Sequence, residues 1–377
     1  MTPGPSARAS LALSLVPGVG PVLFARLVSR FGGAAKALEA APALWREVEG
    51  VTARTLSGLS AFSQWNEVDR QIESAIALGM DVLAYEDPLY PVLLRNAPGA
   101  PPVLFLRGAF APEDQAAVAI VGTRHPDAYG LRAAAELAGE LAARGVTIVS
   151  GLANGIDQQA HRAALERGGR TLAVLGCGLD VDYPSKSAAL REQIAGRGAL
   201  ISEFPPGTQP LPDNFRQRNR VISGLSKGVL LVQGGARSGS LITVRYALEQ
   251  DREVFCVPGS IYSERSEAPH LMLRQGAIPV ERAEDVLAVL WPALAAPSKA
   301  EGPPARTDAQ SRSGGPQLEL TPGEREIFDR LVPGEMVDRD TILFRAGLDA
   351  AHAAPLLVGL EIKGLLKARP GGLYTRA

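Results

Sequence analysis

The chain has 377 residues, of which 46% are apolar and 21% are charged, and its formal net charge at pH 7 is −1. This length and composition predict an ordinary globular protein with a large core and two or three domains. The near-neutral charge excludes a protein that coats nucleic acid by bulk positive charge, so any nucleic-acid site must be a local patch.

The first 78 residues alternate helical patterns with glycine and proline, and they predict an N-terminal helical domain of the helix-hairpin-helix or SAM-like type. In the run VPGVG at 16–20, the glycines would form a tight turn between two helices and expose backbone amides. Such turns can bind phosphate. Only Arg26 and Arg30 lie close by, so a purely structural helical domain is the alternative interpretation.

Residues 79–292 alternate short β-branched apolar runs with helix-length amphipathic segments. Continuous apolar strands that are each followed by a helix are typical of a parallel sheet covered on both faces. We therefore predict an α/β domain with a doubly wound parallel sheet. The Pro- and aromatic-rich stretch before the first strand is expected to pack as a lead-in to this sheet. The six predicted strands are AVAIVG, TIVSG, TLAVLG, ALISEF, GVLLVQ and EVFCVPG.

The C-terminal part divides into a linker and a third domain. Residues 293–318 hold few large apolar side chains and many Pro, Gly and Ser, which predicts a flexible linker. Residues 319–377 have the pattern of three short helices and a hairpin that turns at Gly371 and Gly372, which indicates a winged-helix domain. Its third helix carries Glu361 and Lys363 but little other charge, so a protein-contact or regulatory role is as good an interpretation as DNA reading.

The turns that follow the predicted strands are rich in glycine and hold the candidate site. Ligands of an open parallel sheet bind beyond the carboxyl ends of its strands, and glycines there let backbone amides approach an anion closely. Ser238 and Ser240 stand just before the helix LITVRYALEQ, where hydroxyls and free amides would face a phosphate. Arg124 has no acidic neighbour in sequence, which favours a phosphate partner over a remote structural ion pair.

The segment NFRQRNRVISGLSKG contributes a cluster of arginines. Arg216 and Arg220 share a helical face at i and i+4, Arg218 is offset, and Asn219 can pin neighbouring loops. A solvated basic face is the usual interpretation of such a run. Here the cluster opens a helix, where the macrodipole disfavours cations, so the phosphates of a bound strand would compensate the charge.

Five further side chains near these turns divide into ligand-binding and structural candidates. Lys186 would extend the basic track, and Tyr183 and Phe215 are candidate stacking surfaces for unpaired bases. Asp157 precedes a helix, where a carboxylate caps amides and would repel phosphate, so a structural role is favoured. His161 lies one helical turn further on, and we expect a packing residue whose partner is Asp157.

Motifs for catalysis and for cofactor binding are missing from the sequence. The turn GTRHPDAYG breaks the GxGxxG fingerprint, and neither GxxxxGK[ST] nor GxSxG occurs, so we expect no nucleotide cofactor and no enzyme activity. Cys177 and Cys256 lie far apart without metal-ligand spacing, which predicts no metal and a reduced, cytoplasmic location. No leader or 18-residue apolar run is seen, so we expect neither secretion nor membrane insertion.

The ordered motifs VAIVGTRHPDAYG, TIVSGLANGIDQQAH, LAVLGCGLDVDYP, ISEFPPG, FRQRNRVISGLS, SGSLITVRYALE and VFCVPGS resemble the DNA-processing protein A (DprA/Smf) family over about residues 85–280. The resemblance implies an extended Rossmann fold and a non-enzymatic homodimer that binds single-stranded DNA and loads RecA recombinase onto it during natural transformation. It also implies that self-association uses residues from about 255 to 290. Ala268 stands where the family has a glycine at this implied dimer edge.

The resemblance also assigns residues to DNA. Arg124 matches the family's phosphate-pocket arginine, Lys186 the lysine after the Tyr-Pro pair, and Arg218, Asn219 and Arg220 the family's RNR motif. The full set of residues predicted to bind DNA is Gly122, Thr123, Arg124, Gly151, Asn154, Gly155, Lys186, Arg216, Arg218, Asn219, Arg220, Gly235, Ser238, Gly239 and Ser240.

Two other functions stay open at this point. The loop QGGARSGSLIT resembles phosphate-binding turns of Rossmann-like nucleoside monophosphate phosphoribohydrolases, so the chain could be a nucleotide-processing hydrolase with Glu203 or Glu249 as its carboxylate. A dimeric interaction scaffold with an incidental anion pocket is the third interpretation.

Overall fold

The computed structural model describes residues 5–295, 321–331, 336–346, 355–357, 359–361, 363, 365–369 and 373–376. The chain divides into two compact units, Met1–Lys299 and Ala300–Ala377. The predicted boundary after residue 78 falls between two elements of the first unit. Residues 296–318 of the predicted linker and the predicted turn at Gly371 and Gly372 lie outside the described residues.

Six helices precede the sheet, and glycine and proline set their ends. Pro21 begins the second helix, and Gly32 ends it in the left-handed conformation. Gly18 has a φ of +89° in the hairpin between the first two helices. Phe24 and Leu27 lie in a core that these helices share, so the predicted helical N-terminal domain is confirmed. The helices are α1 (Pro5–Leu15), α2 (Pro21–Phe31), α3 (Ala34–Glu39), α4 (Pro42–Trp45), α5 (Ala53–Ser60) and α6 (Trp65–Ala77).

A nine-stranded sheet forms the middle of the first unit. Its strands are β1 (Asp81–Ala84), β2 (Val103–Gly108), β3 (Ala117–Val121), β4 (Thr147–Ser150), β5 (Thr171–Leu175), β6 (Ala199–Ser202), β7 (Gly228–Leu231), β8 (Glu253–Cys256) and β9 (Ile278–Pro279). They lie in the order β1-β2-β6-β5-β4-β3-β7-β8-β9. All pairs from β6 to β9 are parallel, whereas β1 and β2 extend the β6 edge in antiparallel fashion. The strands β3 to β7 are buried along their whole length, which explains their continuous apolar sequences.

The six predicted strands correspond to β3 to β8, and the predicted doubly wound α/β class is confirmed. The lead-in stretch differs from expectation because it supplies two strands of its own. Pro88, Pro91, Pro101 and Pro102 all lie between β1 (four residues) and β2 (six residues), and this proline-rich composition indicated an irregular segment.

Helices cover both faces of the sheet. The helices after β1 are α7 (Val92–Arg95), α8 (Ala128–Ala143), α9 (Ile156–Glu166), α10 (Ala188–Arg197), α11 (Pro212–Gly224), α12 (Ser240–Glu249), α13 (Glu267–Arg274), α14 (Ala283–Leu290) and α15 (Pro292–Ala295), with 3₁₀ turns at Pro112–Gln115 and Glu264–Ser266. One face of the sheet packs against α11, α12 and α13 through residues such as Val221, Val244 and Met272, and the other packs against α8, α9 and α14. On the second face, α1, α6 and α10 cover β1, β2, β5 and β6, so the N-terminal helices share a core with the sheet.

The second unit is a small winged-helix fold, as predicted. Thr321 caps its first helix and accepts from the amide of Glu324, whose carboxylate accepts from the amide of Thr321 in return. Ile327, Ile342 and Leu360 form its core. Its elements are α16 (Pro322–Asp329), β10 (Met336–Asp338), α17 (Arg339–Ala346), a further helical stretch within 355–361, β11 (Leu366–Arg369) and β12 (Leu373–Arg376), with the sheet order β10-β12-β11.

Candidate functional site

An open cleft of about 860 Å³ lies beyond the carboxyl ends of β3 and β7. These neighbouring strands are the point at which the strand order reverses, where doubly wound sheets bind their ligands. Its walls come from the turn after β3, from α11 and from the loop between β7 and α12. The polar and aromatic residues that line it are Thr123, Arg124, His125, Asp157, Tyr183, Phe215, Arg216, Arg218, Asn219, Arg237, Ser238, Ser240 and Thr243.

The lining of the cleft is positively charged. Among the described residues that line it, four are arginines and a single one, Asp157, is a carboxylate. Because the whole chain carries a net charge of −1, this is the local patch that nucleic-acid binding would require.

Arg124 is one of the cleft cations that are available to a ligand. Its side chain is exposed and forms no hydrogen bond or ion pair within the part of the chain that the structure describes. Its guanidinium carbon lies 5.8 Å from the centre of the Phe215 ring. Backbone hydrogen bonds hold the turn beneath it: the amide of Thr123 donates to Gln233 O at 2.8 Å, and the amide of His125 donates to Thr123 Oγ1 at 3.2 Å. The turn therefore holds Arg124 at the cleft through backbone hydrogen bonds and leaves its guanidinium free.

The loop between β7 and α12 presents backbone amides and hydroxyls. Ser238 and Ser240 contact each other through their hydroxyls at 2.7 Å, at the N-terminus of α12. The amides of Arg237 and Gly239 donate to no described residue, so they are available to an anion at the positive end of the helix dipole. Arg237 is exposed and lines the cleft, and sequence reasoning missed it although it stands between two residues of the same predicted loop.

A second segment fastens this loop. Gly234 donates from its amide to Arg265 O at 2.7 Å and accepts from the amide of Ala268 at 2.9 Å. The amide of Ala236 donates to the Glu267 carboxylate at 2.9 Å. Arg265 also donates through Nε to His125 O at 2.8 Å, so one short segment after β8 orders both rim turns.

Arg218 requires a correction, because the structure buries it in the cleft floor, where hydrogen bonds within the protein engage most of its guanidinium. The residue is 4% exposed, and its guanidinium donates to Gly151 O at 2.8 Å and also to Val174 O. Burial lowers the pKa of Arg218 to about 10. Its Nε donates to Asn219 Oδ1 at 3.2 Å, so both Nε and Nη1 have protein partners.

Arg220 also departs from the prediction. Its guanidinium donates to the Glu203 carboxylate at 2.6 and 3.2 Å, and the two side chains are 8% and 7% exposed. Arg220 does not line the cleft, so its predicted contact with DNA is withdrawn. The same ion pair weighs against Glu203 as the carboxylate of a hydrolase. Glu203 accepts hydrogen bonds from Arg220 and from Gln217, whose Nε2 donates to it at 3.1 Å. Glu249 ends α12, about 14 Å along the helix from the loop.

Three other predicted basic or amide side chains lie at different places. Arg216 is exposed at the cleft edge, 3.8 Å from the exposed carboxylate of Asp213. Asn219 lines the cleft, and its Nδ2 donates to Gly239 O at 3.5 Å, which joins α11 to the loop before α12. Lys186 is exposed with a φ of +67° and does not line the cleft.

Two aromatic rings form one wall. The rings of Tyr183 and Phe215 are 5.1 Å apart at an angle of 42°, and both line the cleft. A Cβ at Gly176 would lie 2.7 Å from the Phe215 ring, so only a glycine there leaves room for the ring. The exposed part of this pair, beside Arg124, is suited to stack on an unpaired base.

The turn after β4 is structural. Asp157 lies in the first turn of α9, and its Oδ2 accepts from the amides of Gly151 and Ala153 at 3.1 and 3.3 Å. Burial raises the pKa of this carboxyl to about 6. Gly155 has a φ of +88°, and a Cβ there would lie 2.5 Å from Thr123 O, so this glycine permits the close approach of two rim turns. Asn154 is exposed, and its side-chain oxygen accepts from Gln158 Nε2 at 3.0 Å.

His161 is a packing residue, as expected, but its predicted partner is wrong. The ring is fully buried, and its Nδ1 lies 2.6 Å from Thr171 Oγ1, while Asp157 faces the loop amides instead. Because Thr171 Oγ1 donates to Ile148 O, the hydroxyl accepts from the ring, which assigns the proton to Nδ1. Burial lowers the pKa of His161 to about 3.

Nine of the predicted DNA-binding residues line the cleft: Gly122, Thr123, Arg124, Arg216, Arg218, Asn219, Ser238, Gly239 and Ser240. The other six do not line it: Gly151, Asn154, Gly155, Lys186, Arg220 and Gly235. Within the described ranges, no group of three or more His, Cys, Asp or Glu side chains could hold a metal. None of the described helices has the length and apolarity needed to cross a membrane. The cleft thus offers cations, amides and an aromatic wall.

Three family models match the chain. The model for DNA recombination-mediator protein A matches residues 81–290, which is more than half of the sequence. The chain belongs to this family. A DprA-like N-terminal HHH domain matches residues 6–59, and a DprA winged helix domain matches residues 304–372.

Members of the DNA recombination-mediator protein A family resemble the chain along most of its length. Protein Smf from Synechocystis is 35% identical, over 97% of this chain and 98% of that protein. The structure of DprA from Streptococcus pneumoniae has a TM-score of 0.65 at 31% identity, covering 75% of this chain and 97% of that one. A Helicobacter pylori DprA structure, which concerns the single-stranded DNA binding mode of that protein, has a TM-score of 0.51 at 28% identity and covers 57% of this chain and 96% of that one.

Proposed function

We propose that this chain binds single-stranded DNA in the cleft beyond β3 and β7 and loads RecA recombinase onto the bound strand during DNA uptake. The observation that carries the proposal is the exposed, unpaired Arg124 beside the Tyr183–Phe215 wall. The single-stranded DNA binding of the Helicobacter pylori relative and the recombination-mediator family support it. We propose that the protein is cytoplasmic and acts by binding, without catalysis.

The charged groups of the cleft account for affinity. Arg124, Arg216 and Arg237 are exposed there, and the loop before α12 adds two free amides. Guanidinium groups bind phosphate oxygens in bidentate fashion, and amides at a helix N-terminus add further donors. These contacts would follow a phosphate backbone without reading its sequence.

The aromatic wall accounts for the preference for single strands. A base can stack on the Phe215 ring only if it is not paired and stacked within a duplex, and such stacking contributes about 1–3 kcal/mol per base. Tyr183 tilts against Phe215 and holds the ring at the cleft edge. A duplex could reach the arginines but not this surface, so single strands gain affinity that duplexes do not.

We also propose that the chain works as a homodimer, with the surface after β8 as the self-association surface. Ile261 and Tyr262 are 79% and 92% exposed in the loop that follows β8. Large apolar side chains with this exposure are suited to pack against a second copy. Sedimentation of the native chain and of Tyr262→Asp would test this proposal. A native chain that stays monomeric at micromolar concentration would refute it.

The central experiment measures the affinity of the full chain for single- and double-stranded oligonucleotides at two salt concentrations. We expect native protein to prefer single strands, and Arg124→Ala to weaken binding about tenfold, the cost of one charge-assisted contact. The salt slope should fall by about 0.7, since one phosphate fewer is neutralised. Equal binding of both DNA forms, or no effect of Arg124→Ala, would refute the cleft as the site.

A matched control keeps this result specific. Arg132 is also an exposed arginine near the same turn, but it pairs with Glu136 on α8 and does not line the cleft. Arg132→Ala should leave both the affinity and the salt slope unchanged. Loading is tested separately, by following the formation of RecA filaments on strands already covered by a single-strand binding protein. Filaments that form no faster with the chain present would refute the loading step alone.

A further inference from the structure

A buried pair of opposite charges lies directly beneath the cleft. Asp157 and Arg218 are 7% and 4% exposed, yet both line the cleft floor. They come from different elements, α9 and α11, and neither has a direct role in the binding of DNA proposed above. Buried charged side chains require hydrogen-bond partners, and Asp157 and Arg218 share one residue as a partner.

That residue is Gly151, directly after β4. Its amide donates to Asp157 Oδ2 at 3.1 Å, and its carbonyl accepts from the Arg218 guanidinium at 2.8 Å. The same carboxylate oxygen accepts from the amide of Ala153 at 3.3 Å, and the same guanidinium nitrogen donates to Val174 O. Two oppositely charged side chains therefore hold one residue, Gly151, at both of its backbone polar groups, and Arg218 joins the ends of β4 and β5.

The fit between Gly151 and Arg218 leaves no spare room. A Cβ on Gly151 would lie 2.6–2.7 Å from the terminal carbon and nitrogens of the Arg218 guanidinium. The guanidinium thus lies flat against the backbone, in a place that any side chain at position 151 would fill. This close approach fixes the direction of Nε, which donates to Asn219 Oδ1 at 3.2 Å.

Asn219 connects these contacts to the loop before α12, which forms another wall of the cleft. With its oxygen held by Arg218, its Nδ2 points towards Gly239 O at 3.5 Å, in the loop before α12. The chain of contacts therefore runs from Asp157 through Gly151, Arg218 and Asn219 to Gly239. It joins the turn after β4 to α11 and, through Asn219, to the loop between β7 and α12.

We propose that Asp157 and Arg218 are positioning residues of the strand-binding cleft, which hold the Gly151 turn and orient Asn219 without contacting DNA phosphates. This inference rests on the proposed binding of single-stranded DNA. It distinguishes two kinds of arginine in one site: Arg124 contacts the strand, and Arg218 shapes the surface on which the strand lies.

The test separates contact from positioning by measuring affinity and salt slope together. Arg218→Lys keeps the charge, but the donors of an ammonium belong to one nitrogen and cannot replace both Nη1, which binds the carbonyls, and Nε, which binds Asn219. We expect its affinity for single-stranded oligonucleotides, per folded protein, to fall about tenfold with an unchanged salt slope. Arg124→Ala should lose affinity and also about 0.7 of the slope. If Arg218→Met lowers the slope by the same amount as Arg124→Ala, Arg218 contacts a phosphate and the proposal is wrong.

Asp157 provides a second pair of variants that does not depend on the folding of the lysine variant. Asp157→Asn can keep one oxygen facing both amides and should bind at least as tightly as the native chain. Asp157→Ala removes that oxygen and should bind about tenfold more weakly, again with an unchanged slope. Equal affinities of the alanine, asparagine and native proteins would show that the pair supports folding alone and would overturn the proposal.

A matched control lies at the opposite ends of the strands. Arg170 precedes β5, pairs with Asp114 at 2.9 Å and donates to Ala109 O, so it is also a cation that joins backbone and carboxylate. Arg170→Lys should lower the unfolding midpoint but leave the affinity for DNA unchanged. If the native chain does not bind single strands, the proposed function fails; if it binds and Arg218→Lys binds equally, only the positioning role fails.

Discussion

The ion pair between Arg220 and Glu203 offers the sharpest test of how the arginines of α11 divide between structure and binding. Its guanidinium and carboxylate form two hydrogen bonds, at 2.6 and 3.2 Å, and both side chains are less than a tenth exposed. The stem of Arg220 lies against Gly99, where a Cβ would come within 3.5 Å of Arg220 Cδ. Arg220→Ala would therefore leave a carboxylate buried without its cation and a space beside Gly99.

The expected loss follows from the buried charge that remains. Removing one partner of a buried ion pair costs about 3–5 kcal/mol, whereas replacing both partners by neutral residues of similar volume is often nearly neutral. Arg220→Ala should thus lower the free energy of unfolding by about 3–5 kcal/mol, and the double variant Arg220→Met with Glu203→Gln should recover most of that loss. Urea unfolding followed by tryptophan fluorescence measures both values.

An exposed pair on the next helix serves as the control. Arg245 and Glu249 are 66% and 55% exposed and 3.7 Å apart, so Arg245→Ala should change stability by less than about 1 kcal/mol. The folded double variant at Arg220 and Glu203 should bind single-stranded DNA as the native chain does. A loss below about 1 kcal/mol for Arg220→Ala, or a double variant that folds but no longer binds DNA, would contradict the assignment of Arg220 to structure.

Two further predictions concern backbone conformation and pH. Gly155→Ala should cost at least about 2 kcal/mol, because φ is +88° and the new Cβ would lie 2.5 Å from Thr123 O, while Gly196→Ala, in the open on α10, should be neutral or stabilising in the same thermal unfolding measurement. His161→Gln tests the buried histidine ring, whose pKa of about 3 lies below the 6.5 of an exposed histidine. Because the folded protein holds the ring neutral, the stability that depends on it is complete above pH 6.5. That stability is lost as the pH falls towards 3. Between pH 7 and pH 5 the native chain should lose about 2 kcal/mol more than His161→Gln, since the opposite contribution of Asp157 is common to both, and parallel stability curves would refute this.

The central sheet was predicted well from the sequence because buried strands have continuous apolar sequences. The strands β3 to β7 are buried on both faces, so they appear as unbroken apolar runs, and the turns after them carry the glycines that an anion site requires. The strands β1 and β2 were missed because several prolines lie between them, a composition that indicated an irregular segment. Position relative to the strand ends, more than residue type, identified the cleft.

The roles of the α11 arginines could not be predicted from helical periodicity. Arg216 and Arg220 share a helical face, which suggests equal exposure, yet Arg216 is exposed and Arg220 is buried. Periodicity gives the direction of a side chain around the helix axis but not its depth along the axis. Here α11 starts at the surface with Pro212 and runs inward beneath the turn after β6, which supplies Glu203. A partner distant in sequence therefore decided the outcome.

Because only some of the arginines are free to contact DNA, the affinity for DNA should depend only moderately on salt concentration. If all of the arginines from Arg216 to Arg220 contacted phosphates together with Arg124, Arg237 and Lys186, six cations would be neutralised and the slope would approach about −4. With Arg218 and Arg220 engaged inside the protein and Lys186 away from the cleft, three exposed arginines remain, and the expected slope per protomer is about −2. Three ionic contacts alone would bind DNA weakly, so the aromatic wall must supply much of the affinity. Removing the Phe215 ring should then cost more binding than removing any single arginine, and it should do so equally at low and high salt.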